Sequence, residues 1–378
     1  TYLIRNFRHM TFFPSADDTW EHITARDAGF DESRLATAIA FAESHGSPWP
    51  KDIDKAGNVP GLSQFEKAPW NEALGEFIPR GETNGLILKG GRIAAQWGET
   101  GRVEMTFSIA KSYLSILAGL AISDGLIGSV DDPVAKTVPG ELFASDHNSK
   151  ITWRHLLTQT SEWEGTLWDK PDLVDRNRKV GPGSNNDLKG THRDLQAPGT
   201  FWEYNDVRVN VLSLALLHVF RRPLGEVLKE RVMDPIGASE TWRWVGYRNS
   251  FVEIDGIRMQ SVPGGTHWGG GLQINSLDHA RFALLVRNDG VWDAKRIVPE
   301  GWVNQLHTPS PVNAGYGFLW WLNTGQEEWA GVPETSYGAV GAGSHIIWID
   351  PDHDLVIVAR WVNQIHVEGL IQEFAQAL

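Results

Sequence analysis

The sequence predicts an α+β fold, an α/β-type sandwich. An antiparallel sheet drawn from the N- and C-terminal segments is flanked by helices, and an all-α region is inserted between its halves. Three observations carry this. Strand-like runs gather at 85–97 and again after residue 316, the stretch between them is dominated by helical spacing, and no internal repeat or low-complexity tract breaks the chain. Strands so far apart in sequence share one sheet only if the two parts of the chain meet. The expected organisation is a discontinuous sheet region, 1–115 with 265–378, and a mainly helical region, 116–264. The active site of such a fold would lie at their seam.

The elements follow in order. Leu35, Ile39 and Phe41 fall at helical spacing in 32–45, with Asp31 placed to cap the helix. Leu86-Ile87-Leu88 and Ile93-Ala94-Ala95 flank Lys89-Gly90-Gly91-Arg92, where paired glycines supply the positive φ of a tight hairpin turn. Helices are expected at 108–124, 153–158, 207–220 and 224–232, the last stopped by Pro235. Residues 164–200 are rich in Gly, Pro, Asn and Asp without a period, and a loop that long in a compact enzyme usually serves its function. A further helix begins near Ser276 and ends at Asn288-Asp289-Gly290. Strands are expected at Tyr316–Leu322, Ile346–Ile349 and Leu355–Trp361, with a turn at Asp350–Asp354 and a closing helix at 367–378.

Composition excludes several classes of function. A chain of 378 residues, 41% hydrophobic and 21% charged, buries a large core. Its net charge of −13 opposes partners that require phosphate neutralisation, so neither nucleic acid nor an anionic membrane is expected. With no cysteine there is no disulfide, thiol nucleophile or cysteine-bound metal. The 13 His include no His-Glu-x-x-His pair, so no metal or cofactor is expected. The first residues, Thr1 to Arg8, lack a long apolar run, which favours the cytoplasm, and no window reaches membrane-spanning length. The expected partner is a small-molecule substrate, with homo-oligomerisation permitted. Of the 18 Trp, Trp163, Trp168, Trp202 and Trp268 lie in loop-like surroundings suited to a substrate cleft.

Ser108-Ile-Ala-Lys111 opens an apolar helix, and residues three apart share a helix face, so the lysine can reach the serine hydroxyl. A desolvated neutral lysine can activate that hydroxyl, and the helix N-terminus favours an oxyanion. The same spacing also describes an N-cap serine followed by a solvated lysine. Two further segments shift the balance. Tyr204, in Phe201-Trp-Glu-Tyr204-Asn205-Asp206, precedes a helix N-terminus whose positive field would stabilise a phenolate and suit a proton relay. Tyr337-Gly-Ala-Val-Gly341-Ala342-Gly343 precedes a strand, and its glycines let backbone N–H groups approach a ligand, which with the Ser108 N–H would make an oxyanion hole.

In this order, Ser-x-x-Lys, a tyrosine motif and a Gly-rich strand resemble the serine β-lactamase and penicillin-binding-protein superfamily. The chain most resembles the class C β-lactamase-like branch, which includes esterases, D-amino-acid amidases and 6-aminohexanoate-dimer hydrolases. Ile151-Thr-Trp-Arg-His-Leu-Leu-Thr-Gln-Thr-Ser161, Asp234–Thr241 and Gly269-Gly-Gly271 with Ser276–Phe282 are similar to further segments of that branch. The resemblance implies a β-lactamase/transpeptidase-like fold, Ser108 as nucleophile, Lys111 as its partner and Tyr204 as the proton-relaying tyrosine.

Two departures narrow the expectation. Asp206 replaces the asparagine of Tyr-x-Asn, with Asn205 beside it, and Ala339-Val340-Gly341 replaces Lys-Thr-Gly. The second change moves the oxyanion N–H to Ala342, with Gly343 as rival, and removes the groups that would hold a β-lactam carboxylate. The expected function is a serine hydrolase, an esterase or amidase that forms an acyl-enzyme on small esters or amides. A β-lactamase or D-Ala-D-Ala peptidase is the alternative enzyme, and a catalytically silent binding protein the alternative of another class. Asp206, Asn205, Trp163, His267, Trp268, Gly341 and Gly343 are the candidate substrate contacts.

Overall fold

The computed structural model describes residues 11–16, 19–53, 66, 68–265 and 268–378; His267 lies outside them. Helix α1 (Glu32–Ser44) starts at Asp31, whose carboxylate accepts the Arg34 N–H. Strands β1 (Asn84–Lys89) and β2 (Arg92–Trp97) form the expected hairpin, with Gly90 and Gly91 at φ 57° and 79°. After β3 (Glu104–Met105) come α2 (Ala110–Ser123), α3 (Trp153–Leu157), α4 (Asp206–Phe220) and α5 (Leu224–Leu228). Strands β4 (Arg243–Val245) and β5 (Gly271–Ile274) precede α6 (Ser276–Arg287) and α7 (Trp302–Leu306). Strands β6 (Trp321–Leu322), β7 (Tyr337–Gly341), β8 (His345–Asp350) and β9 (Leu355–Arg360) lead into α8 (Val367–Gln376).

The main sheet runs β6-β7-β8-β9-β1-β2, so the two distant strand groups join where β9 pairs antiparallel with β1, Asn84 opposite Arg360. Both faces are buried, which the period of two makes possible. Ile87, Ile346, Trp348, Ile357 and Ala359 point toward α1 and α8, while Leu86, Leu88, Ile347, Ile349, Val356 and Val358 belong to the core on the opposite side. Each such aliphatic side chain contributes roughly 1.5–3 kcal/mol by leaving water. A smaller sheet, β3-β5-β4, carries the chain toward Ser108.

Helices α2 and α4 are buried nearly all round, as centrally placed helices must be. Two small hairpins, one within 166–171 and one within 251–260, decorate the helical middle. The strand expected at Tyr316–Leu322 contracts to Trp321–Leu322. Leu319 takes φ 60° and its N–H turns to the Leu157 carbonyl, so this apolar run is buried as a turn. No helix among the described residues is long and apolar enough to cross a membrane.

Candidate active site

From Glu104 to Ala121 every residue is buried except Ser108. The hydroxyl therefore faces the only opening in a segment that is otherwise core. Phe107 holds φ 51°, a left-handed conformation that is unfavourable for a residue with a Cβ, and the short 3-10 turn Phe107–Ile109 presents Ser108 just ahead of α2.

One helical turn on, Lys111 is fully buried, with Nζ 2.7 Å from Ser108 Oγ and 2.6 Å from Asp206 Oδ1. Burial pushes its amine below the ordinary lysine range, and the Asp206 carboxylate pulls in the opposite direction. Tyr204 shares a hydrogen bond with Ser108 and lies under the Lys111 ammonium, 4.7 Å from ring centroid to Nζ. The field expected to favour its phenolate is overridden. Burial and the nearby Asp206 raise the phenol well above its usual range, so Tyr204 rests as a neutral proton donor.

Helix α4 delivers both Tyr204 and Asp206, because Asn205 caps it by accepting the Arg208 N–H. Asn205 also donates to the Asp172 carbonyl at 2.9 Å and is fully buried, so it fixes the helix start. Asp206 pairs with the lysine. Its second oxygen, Oδ2, accepts from Arg178 at 2.8 Å.

On the sheet side, β7 ends against the Ser108 turn. A Cβ at Gly341 would stand 2.3 Å from the Thr106 carbonyl oxygen and 3.3 Å from the Ser108 nitrogen, so only glycine permits this approach. Ala342 opens the exposed turn that follows. Gly343 rests instead on the Trp361 ring, where a Cβ would meet it at 2.4 Å.

Two of the candidate tryptophans leave the cleft. Trp163 is buried and donates its indole N–H to the Leu142 carbonyl at 2.7 Å, and buried Trp268 donates to Glu66 at 2.5 Å. Trp202 stays partly exposed beside Tyr204, joined there by Trp321, whose ring stacks on Tyr204 at 5.7 Å. Arg178, Asp175 and Lys189 escaped the reading of the sequence. Their one signal was the charge at Asp206, because a buried carboxylate beside a base demands a counter-charge from the aperiodic loop.

The Beta-lactamase family model matches residues 87–366, and the chain belongs to that family, whose members are serine hydrolases. No curated protein matches the sequence significantly. Among solved structures, a penicillin-binding-protein homologue from Caulobacter crescentus is similar at 14% identity and TM-score 0.59, covering 93% of this chain and 99% of that one. The hydrolase EstCE1, with promiscuous acyltransferase activity, is similar at 15% and 0.58, covering 91% and 98%. A D-stereospecific amidohydrolase from a Streptomyces species is similar at 17% and 0.54, covering 78% and 94%. At these identities the likeness shows the fold.

Proposed function

We propose that the protein hydrolyses small esters or amides through an acyl-enzyme at Ser108. The observation that carries this is a buried lysine amine 2.7 Å from the one accessible hydroxyl of a core segment, with a neutral tyrosine on the same hydroxyl. Ser108 Oγ bonds to the carbonyl carbon as its proton passes to the Lys111 amine. The Lys111–Tyr204 pair returns a proton to the departing alcohol or amine, and water then releases the acid by the reverse sequence. The Ser108 N–H and the Ala342 N–H, just past the Gly341 contact, serve as the oxyanion donors. This site lies on the seam of the two regions: Ser108 and Gly341 come from 1–115 with 265–378, and Tyr204 comes from 116–264.

The partly exposed Trp202 and Trp321 form an aromatic wall beside the proton-donating Tyr204, suited to an apolar leaving group. Ala339-Val340 stand where a β-lactam carboxylate would need Lys-Thr, so p-nitrophenyl esters and linear amides are the preferred substrates over nitrocefin. Solved structures of similar fold include a D-stereospecific amidohydrolase and a hydrolase with promiscuous acyltransferase activity, which supports testing amides beside esters in the same panel.

Replacing Ser108 with Ala lowers ester turnover by about four to six orders of magnitude and abolishes fluorophosphonate labelling, without loss of the folded state. Steady-state kinetics and intact-mass spectrometry check both. A variant that keeps its rate or its label removes Ser108 from the role of nucleophile, and a wild-type chain that never labels would be a silent binding protein.

A further inference from the structure

Asp206 lies against the lysine that the proposed chemistry needs as a base, and a carboxylate at 2.6 Å should hold that lysine protonated. The same carboxylate, however, is shared. Arg178, from the long loop 164–200, donates to Asp206 Oδ2 at 2.8 Å while Lys111 takes Oδ1. The Arg178 guanidinium also stands 5.1 Å over the Tyr204 ring.

Behind Arg178 the charges alternate. Asp175 lies 3.5 Å from Arg178 and 3.2 Å from Lys189, and Lys189 lies 3.3 Å from Glu66. Asp175 also accepts the Asp206 backbone N–H at 2.9 Å, which ties the loop to the start of α4. The side chains of Lys111, Asp206, Asp175, Lys189 and Glu66 are all buried, and that of Arg178 nearly so. Unpaired charges in such surroundings cost several kcal/mol each, so the row holds only as a row.

We infer that Arg178 is a positioning residue for the proton transfer: by occupying half of Asp206 it frees Lys111 to accept the Ser108 proton. This rests on the reading of Lys111 as the base. A guanidinium stays charged at every working pH, so Arg178 is a permanent counterweight that itself neither gives nor takes a proton. The groups facing Lys111 among the described residues are Ser108 on its own turn, Tyr204 and Asp206 from α4, and Arg178 and Asp175 from the loop. Of these, only Arg178 opposes Asp206 by charge.

The sign follows from the pairing. Without Arg178 a cation that competes for the carboxylate is gone, the ammonium is favoured, and free amine appears only at higher pH. In Arg178→Gln the rising limb of kcat/KM against pH therefore moves up by about one unit, a roughly tenfold loss below the limb that high pH restores. The loss lies in kcat, with KM nearly unchanged. Arg178→Lys keeps a cation and returns the limb toward its wild-type position. Asp206→Asn moves the limb the other way, to lower pH, and in the Asp206→Asn background the Arg178→Gln shift shrinks.

The measurement is the pH profile of p-nitrophenyl ester hydrolysis by the full chain, with thermal unfolding of each variant. An unmoved limb in Arg178→Gln, or an equal loss at every pH that Arg178→Lys does not relieve, overturns the inference. If Arg178→Gln does not fold, Asp206→Asn decides: a limb that fails to move to lower pH overturns it. Lys111→Met separates the two levels. If that variant keeps the wild-type limb, Lys111 is not the base and the proposed chemistry itself fails. If it is inactive while Arg178→Gln leaves the limb in place, only the role of Arg178 fails.

Discussion

On the sheet side of Ser108 the polar groups are few and grip the backbone, whereas on the helical side six acidic and basic side chains alternate along a row. Arg360 is the central cation of the first group. Fully buried, it donates to the carbonyls of Glu104 and Met105 at 3.0 and 2.8 Å, to Ile274 at 2.5 Å, and to His345 Nδ1 at 2.9 Å. Thr106 is held in turn by His279 Nε2 at 2.6 Å, whose Nδ1 meets the Tyr113 hydroxyl at 2.9 Å. The three residues before the strained Phe107 are thus clamped by groups that burial keeps from changing charge. Both histidines are pushed well below their ordinary range, and Arg360, drawn down to about 10, stays cationic at neutral pH. The other side does the opposite work. In the proposed chemistry Lys111, Asp206, Arg178, Asp175, Lys189 and Glu66 would set protonation, with the geometry they need supplied by the clamp. The difference teaches that position and proton affinity can be assigned to separate walls of one site.

Three substitutions break or sharpen this division. The largest effect belongs to Tyr204→Phe, which lowers kcat by about 10²–10³-fold through loss of the proton donor. Its cost in stability is one hydrogen bond, about 1 kcal/mol. Stopped-flow or steady-state rates with a thermal scan test the split, and a stability loss that accounts for the rate would blur the two walls into one. Next is Arg360→Met, expected to cost about 3 kcal/mol by leaving carbonyls without a donor. Urea unfolding measures it, and the folded fraction should keep the wild-type pH profile; a shifted profile would give the clamp a share in the proton chemistry.

The smallest effect is a slope. His279 stays neutral in the folded chain while the unfolded chain protonates it below about pH 6.5, so stability falls with pH by about 1.4 kcal/mol per unit for that one group. Glu66 runs the other way. Burial pushes it up to about 7, so its contribution is full below the ordinary carboxylate value of 4.5 and is lost as pH rises through 7. In His279→Gln the acid-side slope should lose one proton's worth, read from urea midpoints at pH 5 and 8. An unchanged slope would mean that His279 titrates while folded.

Much of this was legible in the residues. The period of α2 and α4, the Asp31 cap and the Gly90-Gly91 turn follow from local rules, and local rules govern those segments. Ser108, Lys111 and Tyr204 were legible as a group from the order of their motifs, and the fold brings the three side chains together. Residues 316–320 were misread because an apolar run reports burial, and burial is shared by strands and by the turn that Leu319 makes. Asn205, a candidate substrate contact in the sequence, caps α4 in the fold; both uses select a short polar side chain. Arg178 was invisible for a different reason. Nothing in its neighbourhood along the chain marks it, and its meaning comes from Asp206, which reaches it only through space.

The pairing of β1 with β9, and the seating of Gly341 on the Ser108 turn, also set when activity can begin. During synthesis Ser108, Lys111 and Tyr204 emerge long before the strand that ends at Gly341. Contacts this distant along the chain form late and slowly. A ribosome-bound fragment ending before residue 341 would therefore carry every proton-moving group and no finished site. The hydrolase is complete only when its C-terminal strands arrive.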